Sequence, residues 1–183
     1  PHSVILELAN RLSPKSTVLD LGAGQGRNAL FLAGRGHRVT ALELTETGCQ
    51  QMQITAEQEG LSLDACIQGD IGDASVLGQF GSYDALVCIG VFPFLDYQAV
   101  ERVFAAMREK TNQRGYIAIS GFMEVDPEKR KEYLAIGNYR FLPGELRERF
   151  SDMTVHFYEE VLSTGYRDHK QRYSARIVAQ NLK

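Results

Sequence analysis

The chain of 183 residues has no tryptophan, only 5 prolines, 4 histidines and 3 cysteines. Three is an odd number, and Cys49, Cys66 and Cys88 each fall in a stretch that reads as a regular element. That argues against a disulfide framework and gives no metal-ligand spacing; the three read as reduced, buried thiols of a cytoplasmic protein. No apolar run approaches the roughly 20 residues that span a bilayer, and no signal peptide is visible. Charge of one sign is missing too: 20 Lys and Arg stand against 23 Asp and Glu, for a net charge of -3. Such a balance supplies no field for DNA, RNA or an anionic membrane surface. The expected partner is a small molecule, with the chain a monomer or a homodimer. The first residue is Pro1 and not Met, so a natural N-terminal segment is expected to precede it.

What is present is an ordinary globular composition, 44% apolar and 23% charged, long enough for one sizeable core. Val4, Ile5, Leu8, Ala9 and Leu12 recur at helical spacing, giving a helix over about 2–12. Residues 17–21 form a short apolar run that stops at glycines, as a buried parallel strand does. A helix over 26–34, a strand over 37–44, a helix over 45–59 and a strand over 63–68 follow. Residues 83–89 read as a fourth strand, Val100, Val103, Phe104 and Met107 as one face of a helix, and 116–120 as a fifth strand. This alternation predicts a parallel sheet with right-handed crossovers. After residue 120 the rhythm changes: 121–142 is mixed and aromatic, and a helix starts near Pro143. Two strands, 154–162 and 172–180, are too close for a crossover and should pair antiparallel. The fold class is therefore α/β: a doubly wound, mostly parallel seven-stranded sheet with a C-terminal antiparallel hairpin. It is one domain over 1–183, with a cofactor half over about 1–95 and a substrate-covering insert over about 121–150.

The most informative stretch is Asp20-Leu21-Gly22-Ala23-Gly24-Gln25-Gly26-Arg27-Asn28, between the first strand and a helix. Glycines let the backbone approach a ligand, and the helix start offers free N–H groups. Two cofactors compete for such a loop. Gly24 to Ala29 matches the dinucleotide pattern G-x-G-x-x-A, with Glu43 placed for a ribose contact. Asp20, however, sets a carboxylate near the ligand, which repels a pyrophosphate and suits the ammonium of a methionine moiety. Glycines serving only to pack strand on helix are a third possibility. The acids downstream favour the methionine-based cofactor. Glu43 ends the second strand and could accept both ribose hydroxyls, with Leu44 on the adenine face. Asp70 follows the third strand and suits the adenine amine, with the Ile71 N–H beside it. Taken singly, Glu43 or Asp70 could equally be a helix cap or a solvated turn.

On these residues the sequence resembles the class I methyltransferases, and among them the small tellurite-resistance methyltransferases. The resemblance covers nearly the whole chain: residues 19–28, Val91-Phe92-Pro93-Phe94-Leu95, Gly115-Tyr116 and Phe141-Leu142-Pro143-Gly144-Glu145-Leu146-Arg147. It implies a Rossmann-like methyltransferase fold, an S-adenosyl-L-methionine (SAM) cofactor and a cofactor pocket made by Asp20, Gly22, Ala23, Gly24, Arg27, Asn28, Glu43, Leu44, Asp70, Ile71, Cys88 (through its backbone) and Val91. Two departures stand out. The family has a further N-terminal stretch covering the site, and it tends to carry a His-Arg pair before the last strand, where this chain has Tyr166-Arg167 with His169 two residues on.

The substrate side should be lined by Val91, Phe92, Phe94, Phe122, Met123, Tyr139, Arg140 and Phe141, although aromatics are equally at home in a core. Arg140, Arg167 and Arg172 could meet an anion, or simply be solvated. No general base is evident. His37 is expected to face solvent, His156 to be structural, and His169 to lie in a hairpin loop. The function expected is in-line methyl transfer from SAM to a small molecule, possible acceptors being a chalcogen oxyanion such as tellurite or selenite, or a thiol. Alternatives are an NAD(P)-dependent oxidoreductase, a SAM-binding module without chemistry, and transfer of another group from a decarboxylated cofactor. No catalytic residue and no metal is assigned.

Overall fold

A computed structural model describes residues 1–164 and 171–183. The elements run α1 Ser3–Ala9, β1 Thr17–Leu21, α2 Arg27–Gly34, β2 Arg38–Glu43, α3 Glu46–Glu59, β3 Ala65–Gln68, α4 Ala74–Leu77 and β4 Tyr83–Ile89. A 3-10 turn, Phe92–Phe94, leads to α5 Tyr97–Lys110, β5 Thr111–Phe122, α6 Pro127–Ala135, α7 Glu145–Arg149, β6 Thr154–Thr164 and β7 Gln171–Gln180.

The seven strands lie in the order β3-β2-β1-β4-β5-β7-β6. The first five are parallel, and β7 runs antiparallel to both β5 and β6. The doubly wound sheet and its C-terminal antiparallel pair are thus as the alternation of apolar runs implied. Strand order reverses at β1, which sits between β2 and β4. That is the switch point where open α/β sheets leave a crevice at the strands' carboxyl ends.

Alternation along β1 divides the core between the two faces. Leu19 and Leu21 pack on the face covered by α5, with Leu86, Ile117, Ile119 and Ile177. Val18 points to the other face, which α1, α2 and α3 cover, with Ile5, Leu32, Val39 and Met52. At the amino end, Asp84 clamps β1 to β4: one oxygen accepts from the Thr17 N–H at 2.8 Å and its hydroxyl at 3.0 Å, the other from Asn112 at 2.9 Å. These bonds hold the Asp84 carboxyl below the usual range against the opposing effect of burial.

Some expectations need correction. Residues 121–142 contain a helix, α6, begun by Asp126 as its cap and Pro127 in its first turn. It buries no residue, so it carries no apolar periodicity to read. β5 is longer than 116–120, because pairing with β4 and β7 carries extended backbone on both sides of that run. The helix read near Pro143 begins at Glu145, with Gly144 at φ 78° as its cap. His37 does not face solvent. It is 8% exposed, and burial with the nearby Arg35 lowers its pKa. His156 pairs with the Gln180 side chain at 2.8 Å between β6 and β7.

The insert closes over the α5 face through aromatic rings. Phe92 stacks on Phe104 at 5.5 Å and meets Phe141 edge-on at 5.0 Å; Tyr139 meets Phe141 at 5.4 Å. Phe141 is fully buried. Phe141→Ala is expected to cost about 3–5 kcal/mol of unfolding free energy, read by urea titration of the purified chain. A loss below about 1 kcal/mol would mean that the insert is not part of the cooperative core.

Candidate active site

The loop after β1 is tied to β2 before any ligand arrives. The N–H groups of Gly22 and Ala23 both donate to the Leu42 carbonyl, at 2.8 and 3.0 Å. The Gly24 N–H donates to Glu43 Oε2 at 2.9 Å. Thr45 caps α3 and donates to Glu43 Oε1 from its N–H at 3.0 Å and its hydroxyl at 2.7 Å. Burial would raise the Glu43 carboxyl, but these donors outweigh it and hold Glu43 below its ordinary value. A carboxylate offers about four acceptor positions. The donors here, with the Leu44 N–H, come from both the glycine loop and the start of α3.

Two glycines in the loop are required by geometry. At Gly22 a Cβ would fall 2.4 Å from Val91 Cγ2, so the loop could not pack on the turn after β4. Gly24 has φ +59° and would direct a Cβ into open space, which leaves its backbone accessible to a ligand.

That open space is a cavity of about 460 Å³, within the range of cofactor sites. It is lined by Gly22 and Gly24, by Glu43, Leu44 and Thr45 after β2, by Gly69, Asp70 and Ile71 after β3, and by Ile89 to Val91, Phe94 and Leu95 after β4. The carboxyl ends of four parallel strands thus meet at the switch point. Asp70 Oδ1 accepts from the Gly72 N–H at 2.7 Å, fixing that turn. Leu44 and Phe94 form an apolar rim, Phe94 being 83% exposed.

Asp20 lies beneath the loop. It is 2% exposed and its Oδ2 has no hydrogen-bond partner. Burial, reinforced by the Glu43 charge and opposed by the Ala29 N–H, pushes its carboxyl up to about 7. Asp20 thus resists ionising and would be relieved by a cation.

Of the expected cofactor residues, Gly22, Gly24, Glu43, Leu44, Asp70, Ile71 and Val91 line the cavity. Asp20, Ala23, Arg27, Asn28 and Cys88 do not. Asn28 accepts from the His2 N–H at 3.1 Å, Arg27 borders a groove on the far side of α2, and Cys88 is buried toward the α5 face, with Ile89 and Gly90 at the wall instead. Thr45 was missed, although a threonine two residues after Glu43, at a helix start, is a legible cap signal.

The expected substrate residues divide differently. Phe94 is at the mouth. Phe92, Tyr139 and Phe141 are fully buried and Met123 nearly so; they are core, because the insert packs on α5 through them. The Tyr139 hydroxyl bonds to Glu145 and accepts from Arg149. Arg140 lies over the Tyr133 ring at 3.7 Å, and its Nε donates to Asn138, so it is not presented to the cavity. Phe122 ends β5 under the Arg172 guanidinium, at 5.5 Å. Arg167, with Tyr166 and His169, lies outside the described residues. Among the described residues no His, Lys or Arg lines the cavity, and no group of three or more His, Cys, Asp or Glu could hold a metal.

The glycine loop at the switch point, acids at successive strand tips and the C-terminal antiparallel pair define the Rossmann-like methyltransferase class. Within it, the chain belongs to the tellurite resistance protein TehB family, whose model matches residues 1–178. A relative from Haemophilus influenzae, named a probable S-adenosyl-L-methionine-dependent methyltransferase TehB, is 32% identical over 159 residues, which are 87% of this chain and 53% of that protein. Hemagglutinin 1 of Eikenella corrodens is 31% identical over 162 residues, 88% of this chain and 51% of its own length. The chain therefore spans about half the length of the curated relatives it matches. The crystal structure of TehB from Haemophilus influenzae superposes with a TM-score of 0.86 at 28% identity, covering 99% of this chain and 62% of that one. The fold is also that of magnesium protoporphyrin IX methyltransferase from Synechocystis PCC 6803, solved with bound SAM: TM-score 0.72, 19% identity, 98% of this chain and 76% of that one. No helix among the described residues is long and apolar enough to cross a membrane.

Asp20 ties the site to stability. Its folded pKa stands above the unfolded value of 3.8. The folded state therefore keeps the proton in a window the unfolded state has already left, and stability falls as pH rises from about 4 to about 7. Asp20→Asn should remove that slope and be more stable than the parent at pH 8 by a few kcal/mol, with little difference near pH 3. Urea unfolding across this pH range tests it; equal stabilities at pH 8 would show that the buried carboxylate is compensated.

Proposed function

We propose that this chain is the catalytic domain of a SAM-dependent methyltransferase acting on a small, soft nucleophile. The carrying observation is the conjunction of a buried Asp20 carboxyl, whose Oδ2 has no partner, with a cavity walled by Glu43 and Asp70. Those residues fit the cofactor. Asp20 would attract the ammonium end, acting through the loop that covers it. Glu43 would accept from the ribose, and Asp70 and the Ile71 N–H would meet the adenine edge between Leu44 and the β4 wall. Bound there, SAM supplies a methyl group on a sulfonium that is already a good leaving group. The chain's own work is then to hold and align. Gly22 and Gly24 let the backbone close on the ligand, and Val91, Phe94 and Leu95 exclude water from the side where an acceptor enters. Such positioning is worth several kcal/mol.

An anionic or lone-pair acceptor needs no proton removed. The described part of the cavity offers no histidine or lysine to remove one, and the family description concerns tellurite resistance. Both support a chalcogen oxyanion or a thiol as acceptor, in a cytoplasmic protein of one domain. A dinucleotide oxidoreductase is the weaker reading. Asp20 would face a pyrophosphate with its own sign of charge, and ionising it there costs more still.

Three measurements test these statements. SAM or S-adenosylhomocysteine should raise the melting temperature, whereas NAD(H) and NADP(H) should not; the reverse pattern overturns the cofactor. Glu43→Ala should weaken S-adenosylhomocysteine binding by about 1–3 kcal/mol, read by calorimetry, and unchanged affinity would put the ribose elsewhere. Labelled methyl should appear on tellurite, selenite or simple thiols. Transfer only to an unrelated hydroxyl or amine would refute the acceptor class, and no transfer to any nucleophile in the panel, with binding intact, would leave a sensor in place of an enzyme.

A further inference from the structure

We propose that Phe94 is the residue that selects the methyl acceptor, and that the class it selects is an uncharged thiol or selenol carrying an apolar group, not a chalcogen oxyanion. The inference rests on the cofactor reading above and narrows the acceptor named there.

Phe92 and Phe94 share the 3-10 turn after β4 and meet opposite fates. Phe92 is fully buried, whereas Phe94 stands largely in solvent and still lines the cavity. The turn between them is held throughout. The Phe94 N–H donates to the Val91 carbonyl at 3.0 Å, and the Leu95 N–H to the Phe92 carbonyl at 3.1 Å. Val91 is wedged against Gly22, Phe92 stacks on Phe104, and Asp96 caps α5 by accepting from the Ala99 N–H at 2.7 Å. The backbone of Phe94 is thus fixed from both ends, and only its side-chain torsions remain to be ordered by a ligand. An aromatic ring on so rigid a base makes contact at low entropic cost.

Among the described residues, Leu44 and Phe94 are the large apolar side chains that are both exposed and part of the cavity. Leu44 follows β2, at the adenine end in the cofactor reading. Phe94 follows β4, on the side where an acceptor enters, so what covers its ring is what comes in past the cofactor. Behind it the wall is carbon from Ile89, Val91 and Leu95, and the charged groups in the wall are the Glu43 and Asp70 carboxylates. An oxyanion entering there sheds water against carbon and meets charges of its own sign. An uncharged thiol or selenol sheds little water, and its polarisable chalcogen gains contact with the ring. An apolar substituent on it covers more of Phe94.

The transfer balances with SAM and the thiol alone. A lone pair on the acceptor sulfur forms the bond to the methyl carbon. The bond from that carbon to the sulfonium breaks, leaving its electron pair on the cofactor sulfur, and the thiol proton passes to water at the open mouth. No side chain has to take that proton, in keeping with a cavity lined by no described histidine or lysine. Phe94 makes no bond in this step. It holds the acceptor, so its effect falls on KM and on the choice between acceptors.

The chain has no tryptophan, so Phe94→Trp sets a single fluorophore at the mouth. With S-adenosylhomocysteine bound, benzyl methyl sulfide, the product of methylating benzyl mercaptan, should shift its emission to the blue, and sodium selenite should not. In turnover assays the parent should prefer benzyl mercaptan to 2-mercaptoethanol, and either thiol to selenite. Phe94→Ala should raise KM for benzyl mercaptan about tenfold, the scale of one ring contact, with kcat within about twofold of the parent. S-adenosylhomocysteine affinity, read by calorimetry, should stay at the parent's value, and Phe94→Leu should recover part of the lost preference. An emission shift with selenite and none with the sulfide, a parent that prefers selenite, or an unchanged KM in Phe94→Ala overturns the proposal. So does a Phe94→Ala variant that loses S-adenosylhomocysteine affinity, which would put the ring on the adenine. A parent that binds neither SAM nor S-adenosylhomocysteine overturns the cofactor reading itself, and the acceptor assignment with it.

Discussion

A carboxylate removed from water and given no positive partner is among the costliest groups a fold can carry. Asp20 is such a group, and much of the site follows from it. It occupies the second-last position of β1, paired with Ala41 on one side and Val87 on the other. Neither neighbour supplies charge. Among the described residues the charge that bears on it is that of Glu43, which is of the wrong sign. The fold retains this penalty at the point where the sheet reverses direction and a ligand's charged end can be brought closest to many backbone donors. Stability is surrendered where binding is gained, the usual location for a local rule to be broken.

Glu43 answers the opposite demand. Its charge is fully supported by protein donors, and those donors belong to the elements that a ligand must touch. Gly24 brings in the loop after β1 and Thr45 the start of α3. The carboxylate is therefore a bracket that fixes the height of the glycine loop above the sheet. Preorganisation of this kind reduces the ordering cost that binding would otherwise pay. It also means that any displacement of the first turn of α3 is felt at the site, so α3 is more than a crossover that returns the chain to β3.

The wall of the cavity was largely legible in the sequence because its requirements are local. A strand that stops at glycines, acids at successive strand ends and a helix cap are each encoded within a few residues. Leu44, Asp70 and Ile71, placed on the cavity wall, were read from such local signals, and Val91 from the family resemblance. The insert over 121–150 was not legible for the opposite reason. Phe92, Tyr139 and Phe141 look like the wall of a binding site, since aromatic residues near a strand end suit either a site or a core. Their fate depends on α5, far along the chain, whose Phe104 completes the cluster. Arg140 was misjudged similarly: a guanidinium beside an aromatic-rich segment could meet an anion, but Tyr133 takes its face. α6, which lacks an apolar stripe, and the four-residue α4 were not read from the sequence.

The insert's polar interior separates it from the cradle. Glu145 accepts from Arg130 at 2.9 Å and from the Leu142 N–H at 2.9 Å, as well as from Tyr139. Arg149 joins Tyr139 to Glu101 on α5 at 2.7 Å. Every member of this network lies on α5, α6, α7 or the segment between them, and none lies on the glycine loop, β1 or β2. The insert packs on the α5 face, and among the described residues it reaches the cavity through the turn from Val91 to Leu95. The Asp20–Glu43 arrangement rests instead on β1, β2, α2 and α3. The insert and the cradle are thus mechanically separate in this fold, joined at one apolar turn.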